Sequence, residues 1–407
     1  MSFKRSVVSA VGLVLLMGLL WVGQSQLQGT VSAQRADGPL FEVDPFWPQP
    51  FPNNWLLGNA IGVWVDDSDV IWMVHRSSAT LTGGETGAMQ NPPTGDCCVG
   101  APPVMAFDQA GNIVHAWGGE PGEDYQGYEW PMSNHGIFVD HEGYVWIGGN
   151  GPGDSHVLKL TQDGDVVAQF GSANARQAPD GNGFIRNSHD PESFGRVAEI
   201  FVDAETNEAY LSDGYFNRRV AVIDGDTGEM KRFWGAYGNV PDDDYEFGPR
   251  GADYEGDSQQ FRGPVHCAKM SVDRLLYVCD RGENRIQVFT PEGEYQHQGF
   301  YAPGTTGSGS SWDIAFSSDP EQTYIYIADG VNQRIHVALR ETMEELYDFG
   351  QGGRYPGEFF GAHSIAQDSD GNLYVTETYE GKRIQKFVYQ GVGPVPMGHQ
   401  GPPWPGR

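Results

Sequence analysis

Long helical patterns are missing from this chain of 407 residues, so its fold has to be built from something else. Basic residues are scarce: 25 Lys and Arg stand against 54 Asp and Glu, a net charge of −29. So acidic a surface repels phosphate backbones and anionic lipids, which argues against nucleic acid or a membrane surface as partner. The charge reads mainly as a solubility device, and it leaves room for cationic substrates. Cysteine is also sparse. Cys97, Cys98, Cys267 and Cys279 show no zinc-ribbon spacing, which argues against a thiolate metal site. Cys267 and Cys279 flank one predicted hairpin and are expected to be cross-strand neighbours, whereas adjacent Cys97 and Cys98 are not expected to pair with each other readily.

One hydrophobic run is present, from Val7 to Val22, behind Lys4 and Arg5 and ahead of the small-residue site Val31-Ser32-Ala33. That layout predicts a signal peptide over 1–33, cleaved after Ala33. No second run is long enough to span a bilayer. The expectation is a secreted or periplasmic monomer with no membrane attachment after cleavage.

What the chain does have is 56 Gly, 26 Pro, 11 Trp, 18 Tyr and 21 Phe, the makeup of many short aromatic strands joined by tight turns. The stretch from Gly263 to Phe300 reads as an apolar strand, an Asp turn, a second strand ending in Cys-Asp, then Asn-Arg-Ile-Gln-Val-Phe and a Pro-Glu-Gly turn. The same grammar recurs from Asn134, Arg196, Ser310 and Ala362, and more loosely from Gly58. Strand-only repeats of roughly 40 to 50 residues cannot bury their faces alone and stack as propeller blades. The fold class is therefore all-β, a six-bladed β-propeller over 34–390. The sixth unit is one strand short, and Leu40-Phe41-Glu42-Val43 are expected to supply that strand and close the ring. Polar insertions over Ala79 to Pro102, Ser172 to His189 and Tyr237 to Gln260 are expected to be surface loops framing an entrance. The Pro/Gly-rich tail 391–407 is expected to be disordered or draped.

The blade grammar resembles the NHL repeat, in which an acid ending the second strand and an Arg opening the third recur. Here the pairs are Asp280 with Arg285, Asp329 with Arg334 and Glu377 with Arg383, read as scaffold contacts.

Register singles out the chemistry. His135, His266 and His363 each lie fourteen residues before the end of the second strand, at Gly149, Asp280 and Glu377, in blades two, four and six. Alternate blades of six are related by a third of a turn, so these side chains converge on the axis. Three imidazoles with an open fourth position suit catalytic zinc. Hairpin pairing places the ends of second strands beside them: His75 and Arg76, Asp213, Gly214 and Tyr215, and Arg281. Nearby guanidinium and zinc charge favour a phenolate, which makes Tyr215 a candidate general base.

The segments VHCAKMSVDRLLYVCDRGENRIQVF, YLSDGYFNRRV and VIWMVHR together resemble the peptidyl-α-hydroxyglycine α-amidating lyase family over nearly the whole chain after the leader. The resemblance implies His135, His266 and His363 as zinc ligands, Tyr215 as base, and Arg76 and Arg281 as groups that tune it and bind the carboxylate of a small-molecule or peptide substrate. It implies cleavage of a carbinolamide carbon–nitrogen bond to an amide and glyoxylate. Two departures stand out. Ser364 replaces the carboxylate that holds the family's axial calcium, which argues against a calcium site here, and Phe216 replaces a disulfide cysteine. A lactonase-like metal hydrolase and a non-catalytic binding scaffold are the alternatives.

Overall fold

The computed structural model describes residues 36–119, 127–250 and 258–406. The expected leader lies outside them, as does part of the insertion between Tyr237 and Gln260. Six four-stranded antiparallel sheets form the blades. Their inner strands are Ala60–Val65, Asn134–Val139, Ile200–Val202, Val265–Met270, Asp313–Phe316 and Ala362–Gln367. The inner strand of blade six packs on that of blade one, so the ring is closed. Asp37–Asp44 pairs with Arg383–Pro394 and is the outer strand of the sixth blade.

Alternating strands bury one face against each neighbouring blade, and the core accordingly divides into six apolar clusters, one at each blade boundary. Turn chemistry fixes the hairpins. Asp66 accepts the Trp72 indole N–H at 2.9 Å, Asp140 that of Trp146 at 2.7 Å, and Asp368 the Tyr374 hydroxyl at 2.9 Å. Each Asp turn is thus locked to an aromatic on the strand that follows.

The acid–Arg pairs are buried scaffold in three blades. Asp213 meets Arg219 at 2.8 Å, Asp280 meets Arg285 at 3.0 Å and Glu377 meets Arg383 at 2.6 Å. Blade five departs from the expected pairing. Asp329 and Arg334 are cross-strand partners in the backbone, but Asp329 takes His336 at 3.2 Å while Arg334 reaches Asp348 at 2.5 Å.

The tail is draped rather than disordered: Val43 N donates to Pro403 O at 2.8 Å and His399 Nδ1 pairs with Asp348 at 2.7 Å. Cys267 and Cys279 are cross-strand neighbours joined by a disulfide. Contrary to expectation, Cys97 and Cys98 are also joined, across a cis peptide with their Cα atoms 3.1 Å apart.

Connections from second to third strands, and from outer strands to the next blade, all emerge where the inner strands begin. Ala79 to Pro102 is of the first kind; Ser172 to His189 and Tyr237 to Gln260 are of the second. The described parts of the three insertions therefore rise on one face. Two of them are tied together, with Ser188 N donating to Asp243 Oδ2 at 2.8 Å.

Candidate metal centre

Each histidine is the second residue of its inner strand, and each strand has a break in pairing there: between Asn134 and Ile137, Val265 and Cys267, and Ala362 and Ser364. Such a bulge re-aims a side chain that would otherwise face a neighbouring blade. Here it turns the imidazoles onto the axis. Blade one has the same break, between Ala60 and Gly62, and carries Ile61.

The rings of His135, His266 and His363 form a near-equilateral triangle with centroids 4.8 to 4.9 Å apart. Each Nδ1 meets a carbonyl oxygen of the next blade: His135 with Ala198 at 2.6 Å, His266 with Trp312 at 2.5 Å and His363 with Ile61 at 2.9 Å. A carbonyl can only accept, so each Nδ1 carries the proton and each Nε2 presents a lone pair. Burial is the main influence holding all three pKa values well below the usual histidine range; the charge of Arg281 acts in the same direction on all three, and that of Arg76 on His135 and His363.

Proton counting then fits a metal. The Tyr215 hydroxyl lies 2.8 Å from His135 Nε2 and 3.0 Å from His266 Nε2, and accepts from Arg281 Nη1 at 3.1 Å. Its single proton satisfies only one of the two lone pairs. No hydrogen bond to His363 Nε2 is found among the described residues. Three neutral imidazole donors, with ligand atoms all within 4.8 Å of one another, are a set that a zinc ion satisfies.

Tyr215 reaches the centre because Gly214 lets blade three approach blade four; a Cβ at that position would stand 2.1 Å from Val265 N. Arg281 lies over the Trp312 ring at 4.5 Å and the Tyr215 ring at 5.3 Å, and its buried Nε has no hydrogen-bond partner. Arg76 donates to Asn150 Oδ1 at 2.9 Å and to the Asn134 carbonyl at 3.4 Å. Burial lowers its pKa, while Tyr215, Tyr379 and Asp154 work the other way. Among the described residues neither guanidinium forms a salt bridge.

All six candidate site residues thus gather on one face of the axis. Two other residues named from register serve the scaffold instead. His75 is enclosed by Gly58 N, Ser77 N and the Pro102 carbonyl, and burial lowers its pKa to about 4. Asp213 is spent on Arg219, Asn217 and Gly195 N. Sequence reasoning overlooked Asn150 and Trp312. Asn150 directly follows the second strand of blade two, the position Arg76 and Arg281 hold in blades one and four, so the same rule reaches it.

No family model matches the chain. A Mus musculus relative, NHL repeat-containing protein 3, is 25% identical over 372 residues, 87% of this chain and 86% of its own length. A Bacteroides thetaiotaomicron protein of unknown function superposes with a TM-score of 0.51 at 12% identity, over 87% of this chain and 77% of that one. A streptogramin B lyase structure aligns with a TM-score of 0.49 at 13% identity, over 86% and 98% of the two chains. Together with the blade topology, the mouse relative and the Bacteroides structure identify the architecture as a six-bladed β-propeller built of NHL-like repeats.

Proposed function

We propose that this propeller is a zinc-dependent lyase that cleaves the carbon–nitrogen bond of an N-acyl or peptidyl α-hydroxyglycine. The observation that carries the reading is the pair of guanidiniums, Arg76 and Arg281, flanking a phenol at a three-histidine centre. Among the described residues neither forms a salt bridge with a carboxylate, in a protein whose acids outnumber its bases 54 to 25. Such groups suit a substrate carboxylate, and Arg281 Nε is a donor still to be used.

His135, His266 and His363 would hold the zinc, which when bound would supply Lewis-acid polarisation of a substrate oxygen. Tyr215 accepts the proton of the substrate hydroxyl. The C–N bond then breaks with its electron pair going to nitrogen, and the hydroxyl carbon becomes an aldehyde. Tyr215 returns the proton to the departing amide nitrogen, so the products are an amide and glyoxylate, with no net oxidation. Arg281 holds the phenol oxygen in place by donating a hydrogen bond to it at 3.1 Å. Beside Arg76 a cavity of about 750 Å³, lined in part by Trp55, Pro102, Trp130 and Met132, provides apolar surface for an acyl group.

The test is glyoxylate release from α-hydroxyhippurate by purified protein, compared with Tyr215→Phe and His266→Ala. Release by the wild type alone supports the lyase. Equal release by all three sinks the proposed site, and lactone opening without glyoxylate release points to the hydrolase.

A further inference from the structure

Below the histidines the axis holds a second polar layer that this reaction does not use. Glu199 in blade three and Asp313 in blade five follow the residues whose carbonyls hold His135 and His266, and Ser364 follows His363 itself. All three side chains are buried. Lys269, three residues beyond His266 on the same strand, puts its ammonium between the two acids, 2.8 Å from Asp313 Oδ1 and 3.0 Å from Glu199 Oε1. It donates further to the carbonyls of Ile314 at 2.7 Å and Ile365 at 3.4 Å. Asp313 Oδ2 then accepts from Ser364 Oγ at 2.6 Å and Ile365 N at 2.9 Å. One ammonium on blade four therefore binds groups of blades three, five and six.

Charges buried this deeply are costly unless they are paired, so their placement needs a reason. Two are visible. Its two carboxylate partners, Glu199 and Asp313, directly follow the residues whose carbonyls aim His135 and His266, and Ser364, bonded to Asp313, directly follows His363. The cluster also divides the axis: Glu199 and Asp313 line a cavity of about 10 Å³ shared with the histidines, while Lys269 lines one of about 500 Å³ at the opposite ends of the inner strands.

We infer that Lys269 is a tethered axial cation that closes the propeller channel and, through Glu199, Asp313 and Ser364, holds the three histidines in their metal-binding orientation. It is a positioning residue and touches neither metal nor substrate. The inference rests on reading the histidines as metal ligands.

The experiment compares wild type, Lys269→Ala, and Lys269→Ala combined with Glu199→Gln and Asp313→Asn. Zinc transfer to a chelator, the visible spectrum of the cobalt-loaded protein and thermal unfolding are followed. Lys269→Ala is expected to release zinc about tenfold or more faster and to change the cobalt spectrum. Ethylammonium chloride, set against sodium chloride at equal ionic strength, should slow that release again by restoring a cation between the acids, and should leave the triple variant unaffected. Wild-type release and spectrum in Lys269→Ala overturn the inference, as does faster release that ethylammonium does not slow. Where Lys269→Ala does not fold, the charge-balanced triple variant decides: faster release supports the role, wild-type release overturns it. Wild-type protein that binds no zinc sinks the metal reading instead, and an ethylammonium-dependent rise in the Lys269→Ala melting temperature then still reports the cation's structural part.

Discussion

His135 Nδ1 donates to the carbonyl oxygen of Ala198 at 2.6 Å, across the boundary between blades two and three. That bond decides which nitrogen remains for chemistry. Because the same link recurs from His266 to Trp312 and from His363 to Ile61, the three lone pairs converge by construction of the ring rather than by separate local arrangements.

Metal content follows first. Purified protein should carry about one zinc per chain, and His266→Ala should lose it on dialysis, since two imidazoles and a water make a far weaker site than three imidazoles. Metal analysis of both proteins checks this. Zinc retained at wild-type stoichiometry by the variant removes His266 from the ligand set.

Tyr215→Phe removes the proposed proton acceptor and leaves the imidazoles in place. Turnover should fall by about 10²- to 10⁴-fold, the range of general-base catalysis, while zinc content stays unchanged. Single-turnover kinetics with metal analysis on the same sample separate this from a damaged site, in which both quantities would drop together.

Arg281→Met keeps most of the packing on Trp312 and Tyr215 but deletes the charge. Loss of hydrogen bonds to a charged group costs about 1.5 to 3 kcal/mol each, so kcat/KM for a carboxylate substrate should fall at least about tenfold. The matching substrate with a neutral amide in place of the carboxylate should be affected much less. An equal loss for both substrates places the role of Arg281 on Tyr215 alone.

The histidine register was legible in the sequence because all three blades keep the same spacing between inner strand and second-strand end. Outer-strand closure by Phe41 and its neighbours was legible because the sixth repeat visibly lacked a strand. The second polar layer was hidden. In blades three and five the turns between inner and second strand are longer, so counting back fourteen residues from Asp213 or Asp329 no longer lands on the residue level with the histidines. Backbone pairing, with Asp313 opposite Ala328 and Ser212 N bonded to Glu199 O, shows both acids one step below the histidine level. Lys269 was invisible for a different reason: a lone lysine in an apolar strand reveals its partners only once three other blades surround it. His75 shows the converse error, since adjacency to the site says nothing about where a ring nitrogen finds its partners.

Blade five supplies a prediction about pH. His336 is buried against Asp329 at 3.2 Å and Glu345 at 2.8 Å, with the Tyr301 ring 5.6 Å away. Burial disfavours its charge, but the bonds to the two carboxylates outweigh that and raise its pKa to about 9. The unfolded value is about 6.5, so the folded state binds this proton more tightly. The stability it contributes, on the order of 3 kcal/mol, is complete below about pH 6.5 and disappears as pH rises through about 9. His336→Gln keeps a hydrogen-bonding side chain without the titration. Urea unfolding of both proteins from pH 6 to pH 10 should show a wild-type advantage at the acid end that vanishes at the alkaline end. Stability curves that run parallel across that range would show His336 to be neutral in the folded protein, held by hydrogen bonds and not by charge.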